Sequence, residues 1–291
     1  MNNRTLCIGS ALWDVIGHAD RPMEEGFDRP GVISRHPGGV ALNVAYALQG
    51  AGVRPTLLSA IGKDADGDAL VARMTEDGID CDYLTRVEGR TDIYMAIEHD
   101  GHLFGAVADC ASLENAGASI FEPVRDGRVS GAAPFSGVAV IDGNLPIPVL
   151  AEVVETGLLQ DADVLFVPAS PGKARRMSTI LRAAQATICV NRIEAEIICD
   201  ASFRGSEEAA RALANLGCSA IVTDGGNVAT LVCGESMAQT APPVVDVVRV
   251  TGAGDSFLAG FVAARISGAN DATCLDAAAD MAARHISDPA P

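Results

Sequence analysis

Val250-Thr251-Gly252-Ala253-Gly254-Asp255-Ser256-Phe257-Leu258-Ala259-Gly260 is the stretch on which the reading of this chain turns. An apolar run from Val244 to Val250, broken only by Asp246 and Arg249, precedes it and reads as a strand. Ser256 to Ile266 alternates small and bulky apolar residues, as a buried helix does. A strand, a glycine turn and a helix N-terminus together aim bare backbone N–H groups at an anion. The glycines let the backbone come close to a phosphate. Asp255 then falls in the first helical turn, where a carboxylate is favoured by the helix but repels the anion. That pairing makes sense if Asp255 takes a proton from a hydroxyl attacking a phosphoryl group held by the turn. Taken alone, a glycine turn with an N-capping Asp accounts for the same residues equally well.

Composition narrows the classes. The chain has 291 residues, 48% of them hydrophobic, with 30 glycines and only 4% aromatics. This suits a globular α/β protein rich in tight turns. A formal net charge of −17 argues against nucleic-acid or anionic-membrane partners. No run is long enough for a transmembrane helix, and Met1-Asn2-Asn3-Arg4 leads straight into a strand-like segment, so a cytoplasmic protein is expected. The eight cysteines are scattered without a CxxC pair and are expected to be reduced and mostly buried. Only two lysines occur, Lys63 and Lys173. Neither Gly62-Lys63-Asp64 nor Gly172-Lys173-Ala174 completes a P-loop, and no GxGxxG follows the first strand.

In chain order, Thr5–Ala11 reads as a core strand, with Asp14 in the loop just beyond it. Residues 15–36 are polar, punctuated by Gly and Pro, and fit a small excursion. Pro37-Gly38-Gly39-Val40-Ala41-Leu42-Asn43-Val44-Ala45 opens a helix whose first turn carries a polar Asn43. Residues 56–62 read as one strand and residues 67–78 as a helix. Residues 83–110 alternate like strands, with a hairpin turn at His99-Asp100-Gly101-His102. From there strands (137–142, 163–168, 186–191) alternate with helices (146–157, 173–184, 192–199), which implies a parallel sheet covered on both faces. Asn144 and the Pro168–Ser170 turn follow two of these strands at the ends where ligands bind in such sheets. Residues 220–233 read as a hairpin around Gly225-Gly226, and 270–286 as a final helix.

Thr-Gly-Ala-Gly-Asp-Ser-Phe at 251–257 closely resembles the C-terminal signature of the ribokinase-like (PfkB) carbohydrate and nucleoside kinases, and Gly-Gly-x-x-x-Asn-x-Ala at 38–45 resembles their N-terminal one. The two stand about 210 residues apart in the family's order. The resemblance implies a three-layer α/β fold with a central, mostly parallel sheet and a small β-sheet lid, here one domain over 1–291 with lid segments near 12–36 and 88–110. It implies ATP and Mg²⁺ as cofactors and a small sugar or nucleoside as acceptor, with a possible homodimer through the lid. It makes Asp255 the catalytic base and Gly252, Ala253 and Gly254 the anion hole. It places Asp14, Gly38, Gly39 and Asn43 on the acceptor. Asn191-Arg192-Ile193-Glu194 is similar to the family's Asn-x-x-Glu element, which puts Asn191 near the ATP phosphates and Glu194 near the metal. Val-Thr-x-Gly at 222–225 resembles the nucleotide-binding strand, so Thr223 and Gly225 are expected near ATP, as is Thr251 at the start of the C-terminal signature. The segment Gly105–Asp109 looks most like that of kinases acting on a C-nucleoside, which brings Asp109 toward the nucleoside. Ribokinases, other sugar or nucleoside kinases and a catalytically silent ligand-binding relative stay open. One departure stands out: Arg249-Val250-Thr251 replaces the Asp-Thr-Thr or Asp-Ser-Thr that many members carry, which puts a monovalent-cation site in doubt.

Overall fold

A computed structural model describes residues 4–99, 102–131, 134–181 and 186–288. Its strands, in chain order, are β1 (Thr5–Ile8), β2 (Leu12–Ala19), β3 (Gly31–Gly38), β4 (Pro55–Leu58), β5 (Ala60–Gly62), β6 (Thr85–Val87), β7 (Ile93–His99), β8 (His102–Asp109), β9 (Val138–Asp142), β10 (Asp163–Val167), β11 (Ala186–Asn191), β12 (Ser219–Thr223), β13 (Ala229–Cys233) and β14 (Ser236–Thr240). Eight of them form the main sheet in the order β14-β13-β12-β11-β10-β9-β1-β4. From β4 to β12 all neighbours are parallel; β13 and β14 add an antiparallel edge.

Strands buried on both faces read as continuous apolar runs, and β9 (Val-Ala-Val-Ile-Asp) is one. Side chains of successive residues point to opposite faces. Leu6, Ile8, Ile141 and Phe166 therefore enter one core with Leu150, Ala195 and Leu213 from the helices Ile147–Glu155, Arg192–Cys199 and Ser206–Ala214. Cys7, Val140 and Leu165 enter the other with Leu42, Leu258 and Leu275 from the helices Val40–Gly50, Ala253–Ile266 and Asp271–Ser287. The result is three layers, as expected. The excursion at 15–36 and the alternating stretch after residue 83 meet in a separate four-stranded sheet, β3-β2-β7-β8. This is the lid.

Several expectations are corrected. Residues 244–250 are not a strand: Val244, Val247, Val248 and Val250 are exposed, Pro242-Pro243 precedes them, and no neighbouring strand pairs with them. The stretch 56–62 splits at Ser59, because β5 leaves the main sheet to pair with β6. Asp14 lies within β2 of the lid, not in a loop. The helix expected at 173–184 is a 3₁₀ helix over Pro171–Thr179, with three-residue bonds such as Ile180 N–H to Met177 O; residues 182–185 lie outside the described residues. The tip of the hairpin at Asp100 and Gly101 also lies outside them, although β7 and β8 do pair antiparallel. The cysteines form no disulfide among the described residues; Cys7, Cys189, Cys218 and Cys274 are buried, while Cys233 is exposed.

Where β1 and β9 end, the fully buried carboxylate of Asp142 gathers donors from three segments. Its Oδ2 accepts from the Ser10 amide (2.7 Å), the Ser10 hydroxyl (2.7 Å) and the Ala41 amide (3.2 Å), and its Oδ1 from the Asn144 amide (2.8 Å). Replacing it with alanine strands these donors out of reach of water. Asp142→Ala is expected to lower unfolding free energy by about 3 kcal/mol. Equilibrium urea unfolding checks this, and a midpoint equal to that of the native chain would contradict it.

Candidate active site

The turn ahead of helix Ala253–Ile266 is built on Gly252, which caps the helix at φ 81° with no side-chain cap. A helix start leaves its first amides without intrahelical acceptors; the Ala253 amide closes the turn onto Val250 O at 3.2 Å, and the Gly252 and Gly254 N–H groups stand at a positively polarised end. A side chain at 252 is disfavoured on two counts: the left-handed backbone, and His285 Nε2 lying 2.8 Å from where a Cβ would stand. Asp255 follows in the first turn, partly open to the cavity and enclosed elsewhere. Burial pushes its carboxyl up to about 6, with the Asp142 charge adding to the rise and the bond from Asn43 opposing it.

Asn43 comes from the other signature. It sits in the first turn of helix Val40–Gly50, and its Nδ2 donates to Asp255 Oδ2 at 2.9 Å. Two segments 212 residues apart in the chain thus meet through one bond. That helix start is fixed by Ser10, whose hydroxyl accepts from the Val40 amide (3.0 Å) and whose carbonyl accepts from the Leu42 amide (3.2 Å). Asp14 reaches the same space from the lid. Its carboxylate lies against Gly38, where an added Cβ would be 2.0 Å from Oδ2, so a side chain there would push Asp14 out of this position. Burial first, and then the charge of Asp255, raise Asp14 to about 7.

Opposite these, β11 runs into helix Arg192–Cys199 through a reciprocal cap. Asn191 Oδ1 accepts the Glu194 amide and Glu194 Oε2 accepts the Asn191 amide, each at 2.9 Å. Glu194 is buried, and desolvation lifts it to about 7 against the pull of that amide.

Asp14, Gly39, Asn43, Asn191, Glu194, Thr223, Thr251, Gly252, Ala253, Gly254 and Asp255 all line one cavity of about 430 Å³. Gly38 stands behind Asp14. Gly225 lies in an adjoining apolar cavity of about 480 Å³, which shares Thr223, Val250, Ala253, Gly254 and Phe257 with the first. Asp109 is placed differently: it is exposed at the end of β8 and its carboxylate accepts the Ala111 amide at 3.1 Å, while its neighbours Ala108 and Cys110 line the cavity. A strand-end Asp that starts a turn accounts for it.

Residue patterns missed Lys173, the sole cationic side chain lining that cavity among the described residues. Its Nζ donates to Asn144 Oδ1 and approaches Cys110 Sγ at 3.8 Å. Being one of two lysines in the chain was the available signal, but its neighbours in sequence form no motif. Tyr94 was missed too; it faces the cavity beside Asp14, its register partner in the lid.

No group of three or more His, Cys, Asp or Glu side chains among the described residues could hold a metal ion unaided. The single carboxylate of Glu194, lining the same cavity as Gly252–Gly254, does fit Mg²⁺, which keeps several waters and needs few protein ligands. No helix among the described residues is long and apolar enough to cross a membrane.

Comparison with known proteins identifies the family and the fold. The family model for pfkB family carbohydrate kinases matches residues 2–290. The pseudouridine kinase of Escherichia coli K12 is 29% identical over 271 residues, covering 90% of this chain and 84% of that protein. Among solved structures, ribokinase from Thermotoga maritima superposes with a TM-score of 0.83 at 19% identity, over 98% of this chain and 93% of that one. Arabidopsis thaliana ribokinase, complexed with ribose and ATP, gives 0.78 at 21% identity, over 97% and 92%. The three-layer fold with its lid, the two signatures meeting at Asp255 and the match over nearly the whole length lead to one assignment: the chain belongs to the pfkB family of carbohydrate kinases, which are phosphotransferases.

Proposed function

We propose that this kinase, acting as one domain with a lid, transfers the γ-phosphoryl group of ATP to the 5′-hydroxyl of a nucleoside, and that pseudouridine is the acceptor. The observation that carries the chemistry is the Asn43–Asp255 bond at 2.9 Å beside the Gly252–Gly254 amides. The likeness to the E. coli pseudouridine kinase supports the acceptor. Lys173 and Asn144 support it further, since a fixed ammonium suits the carbonyl-bearing edge of a uracil ring.

In this reading Asp14, Gly39 and Asn43 hold the sugar hydroxyls, and Gly38 keeps room for Asp14. Asp255, ionised near neutral pH, accepts the hydroxyl proton as that oxygen bonds to phosphorus and the bond from phosphorus to the bridging oxygen of ADP breaks. The Gly252 and Gly254 amides stabilise charge on the transferring oxygens, and Ala253, whose amide is bonded to Val250 O, holds the turn between them. Thr223, Gly225, Thr251 and Asn191 border the nucleotide. Mg²⁺, with Glu194 and phosphate oxygens around it, would supply charge neutralisation. The lid excludes water and so suppresses hydrolysis.

ADP release measured with pseudouridine, uridine, adenosine, ribose, fructose and 2-keto-3-deoxygluconate tests the acceptor. Selectivity for pseudouridine is expected; selectivity for another compound would keep the mechanism and overturn the acceptor. Asp255→Asn should cut turnover by about 10³-fold and leave acceptor binding intact. Because the base works ionised and burial raises its pKa, kcat/KM should climb with pH across the interval from about 6 to about 7, where Asp255, Asp14 and Glu194 ionise, and then level off. A rate flat down to pH 5 would contradict that role.

Two further expectations follow from particular residues. The Arg249 guanidinium, fixed by the His285 carbonyl at 2.9 Å, puts a positive charge beside the turn, so activity should be equal with and without K⁺; a strong K⁺ requirement would refute this. The lid face turned away from Asp14 carries Ile33, Met95, Ile97 and Val107, all exposed. We expect that face to pair with a second copy, giving twice the monomer mass in light scattering. A charged substitution at Val107 should return the monomer.

A further inference from the structure

The approach to the catalytic turn has no regular secondary structure, yet it is held at defined points by the last turn of helix Asp271–Ser287. Ile286 O accepts the Val248 amide (2.8 Å) and the Arg249 amide (3.2 Å). Arg249 Nε donates to His285 O at 2.9 Å, and a second guanidinium nitrogen lies 3.4 Å from His285 Nδ1. On its far side the same imidazole meets Thr251 O with Nε2, at 2.9 Å.

These contacts fix the tautomer. A guanidinium has only donors, so Nδ1 must be the acceptor there. The ring proton then sits on Nε2, where it can donate to the Thr251 carbonyl. That carbonyl shares a planar trans peptide with the Gly252 amide, so the two point in opposite directions. Drawing the carbonyl toward His285 turns the Gly252 N–H the other way. A bond to the carbonyl oxygen also polarises the peptide and strengthens its N–H as a donor. Gly252 leaves the space in which the imidazole packs.

We propose that His285, held in one tautomer by Arg249, is the positioning residue that aims the Gly252 amide at the transferring phosphoryl group. This rests on the reading of the 252–254 turn as the phosphoryl site. His285 touches no substrate; it acts through the Thr251–Gly252 peptide.

The test compares His285→Ala, His285→Gln and Arg249→Met with the native enzyme in steady-state kinetics, with thermal melting alongside. His285→Ala should lose about 10- to 100-fold in kcat while the acceptor KM stays in place, since Asp14 and Asn43 are untouched. His285→Gln restores an N–H donor and should recover most of the loss. Arg249→Met frees the ring to take the other tautomer and should fall between. An unchanged kcat in His285→Ala would overturn the proposal. So would a loss that glutamine fails to rescue and that KM shares. Should His285→Ala fail to fold, native kcat in Arg249→Met would overturn it, and a reduced kcat at native KM would support it. If the native enzyme phosphorylates none of the acceptors tried, the acceptor reading fails on its own, and the same variants are compared on the slow hydrolysis of ATP by water, which uses the same amide.

Discussion

A carboxylate with no contact with water holds the two halves of the site in register. Asp142 is ionisable, buried and surrounded by donors from the turn after β1, from the start of helix Val40–Gly50 and from its own following loop. Unpaired, such a group would cost several kcal/mol; with its donors in place, it becomes a rigid node. The dependence runs outward from there. Asp142 fixes Ser10, and Ser10 with Asp142 fixes the first amides of the helix that carries Asn43. Asn43 then fixes Asp255. The same charge reaches Asp255 through space and helps keep its pKa above the ordinary carboxylate range. One buried group therefore sets the place of the proposed base and adds to a rise in its pKa that burial chiefly causes.

The charge balance of the cavity bears on what it can bind. Asp14, Asp255 and Glu194 are all pushed upward, burial being the largest cause in each case. Asp255 also contributes to the rise at both of the others. Three ionised carboxylates facing one another would repel each other and any phosphate. A protein of net charge −17 has no general attraction for ATP either. On the proposed reading, attraction comes from local sources: the helix N-terminus and a hard cation shared with the phosphates. The two cavities separate these tasks. Carboxylates and the lysine line the first, while the second is walled by Pro242, Val244, Val247 and Ile286, suited to a flat base.

Both signatures were legible in the sequence because each depends on backbone geometry that only certain residues allow. Gly252 and Gly39 take positive φ values, and Asn43 and Asp255 follow at fixed helical offsets. The strand-helix rhythm was legible for a related reason, since burial on both faces demands long apolar runs. Where the sequence misled, packing decided against local pattern. Val244–Val250 has strand composition, but among the described residues no strand pairs with it, so it walls the second cavity and is tied down by helix-end carbonyls. Asp14 looked like a loop residue because β1 stops early; the chain crosses into the lid within three residues and carries Asp14 with it. Lys173 was invisible because its meaning lies in meeting Asn144 and Cys110, residues 29 and 63 positions away.

The position of Asp14 has a consequence for how the two sheets work together. Alternation along β2, β7 and β8 puts Asp14, Tyr94 and Ala108 on one face of the lid and Val15, Met95 and Val107 on the other. A strand that carries an acceptor-holding carboxylate cannot move without moving that carboxylate. On the proposed reading, gripping the acceptor and shutting out water are then one event: a hydroxyl bound to Asp14 draws the lid over the turn, and an empty acceptor site leaves it free. The opposite face is apolar and rigidly coupled to the same strands. A second copy packed there would restrict the lid's movement, so association would act on the catalytic step through β2 and β7 and not through any direct contact with substrate.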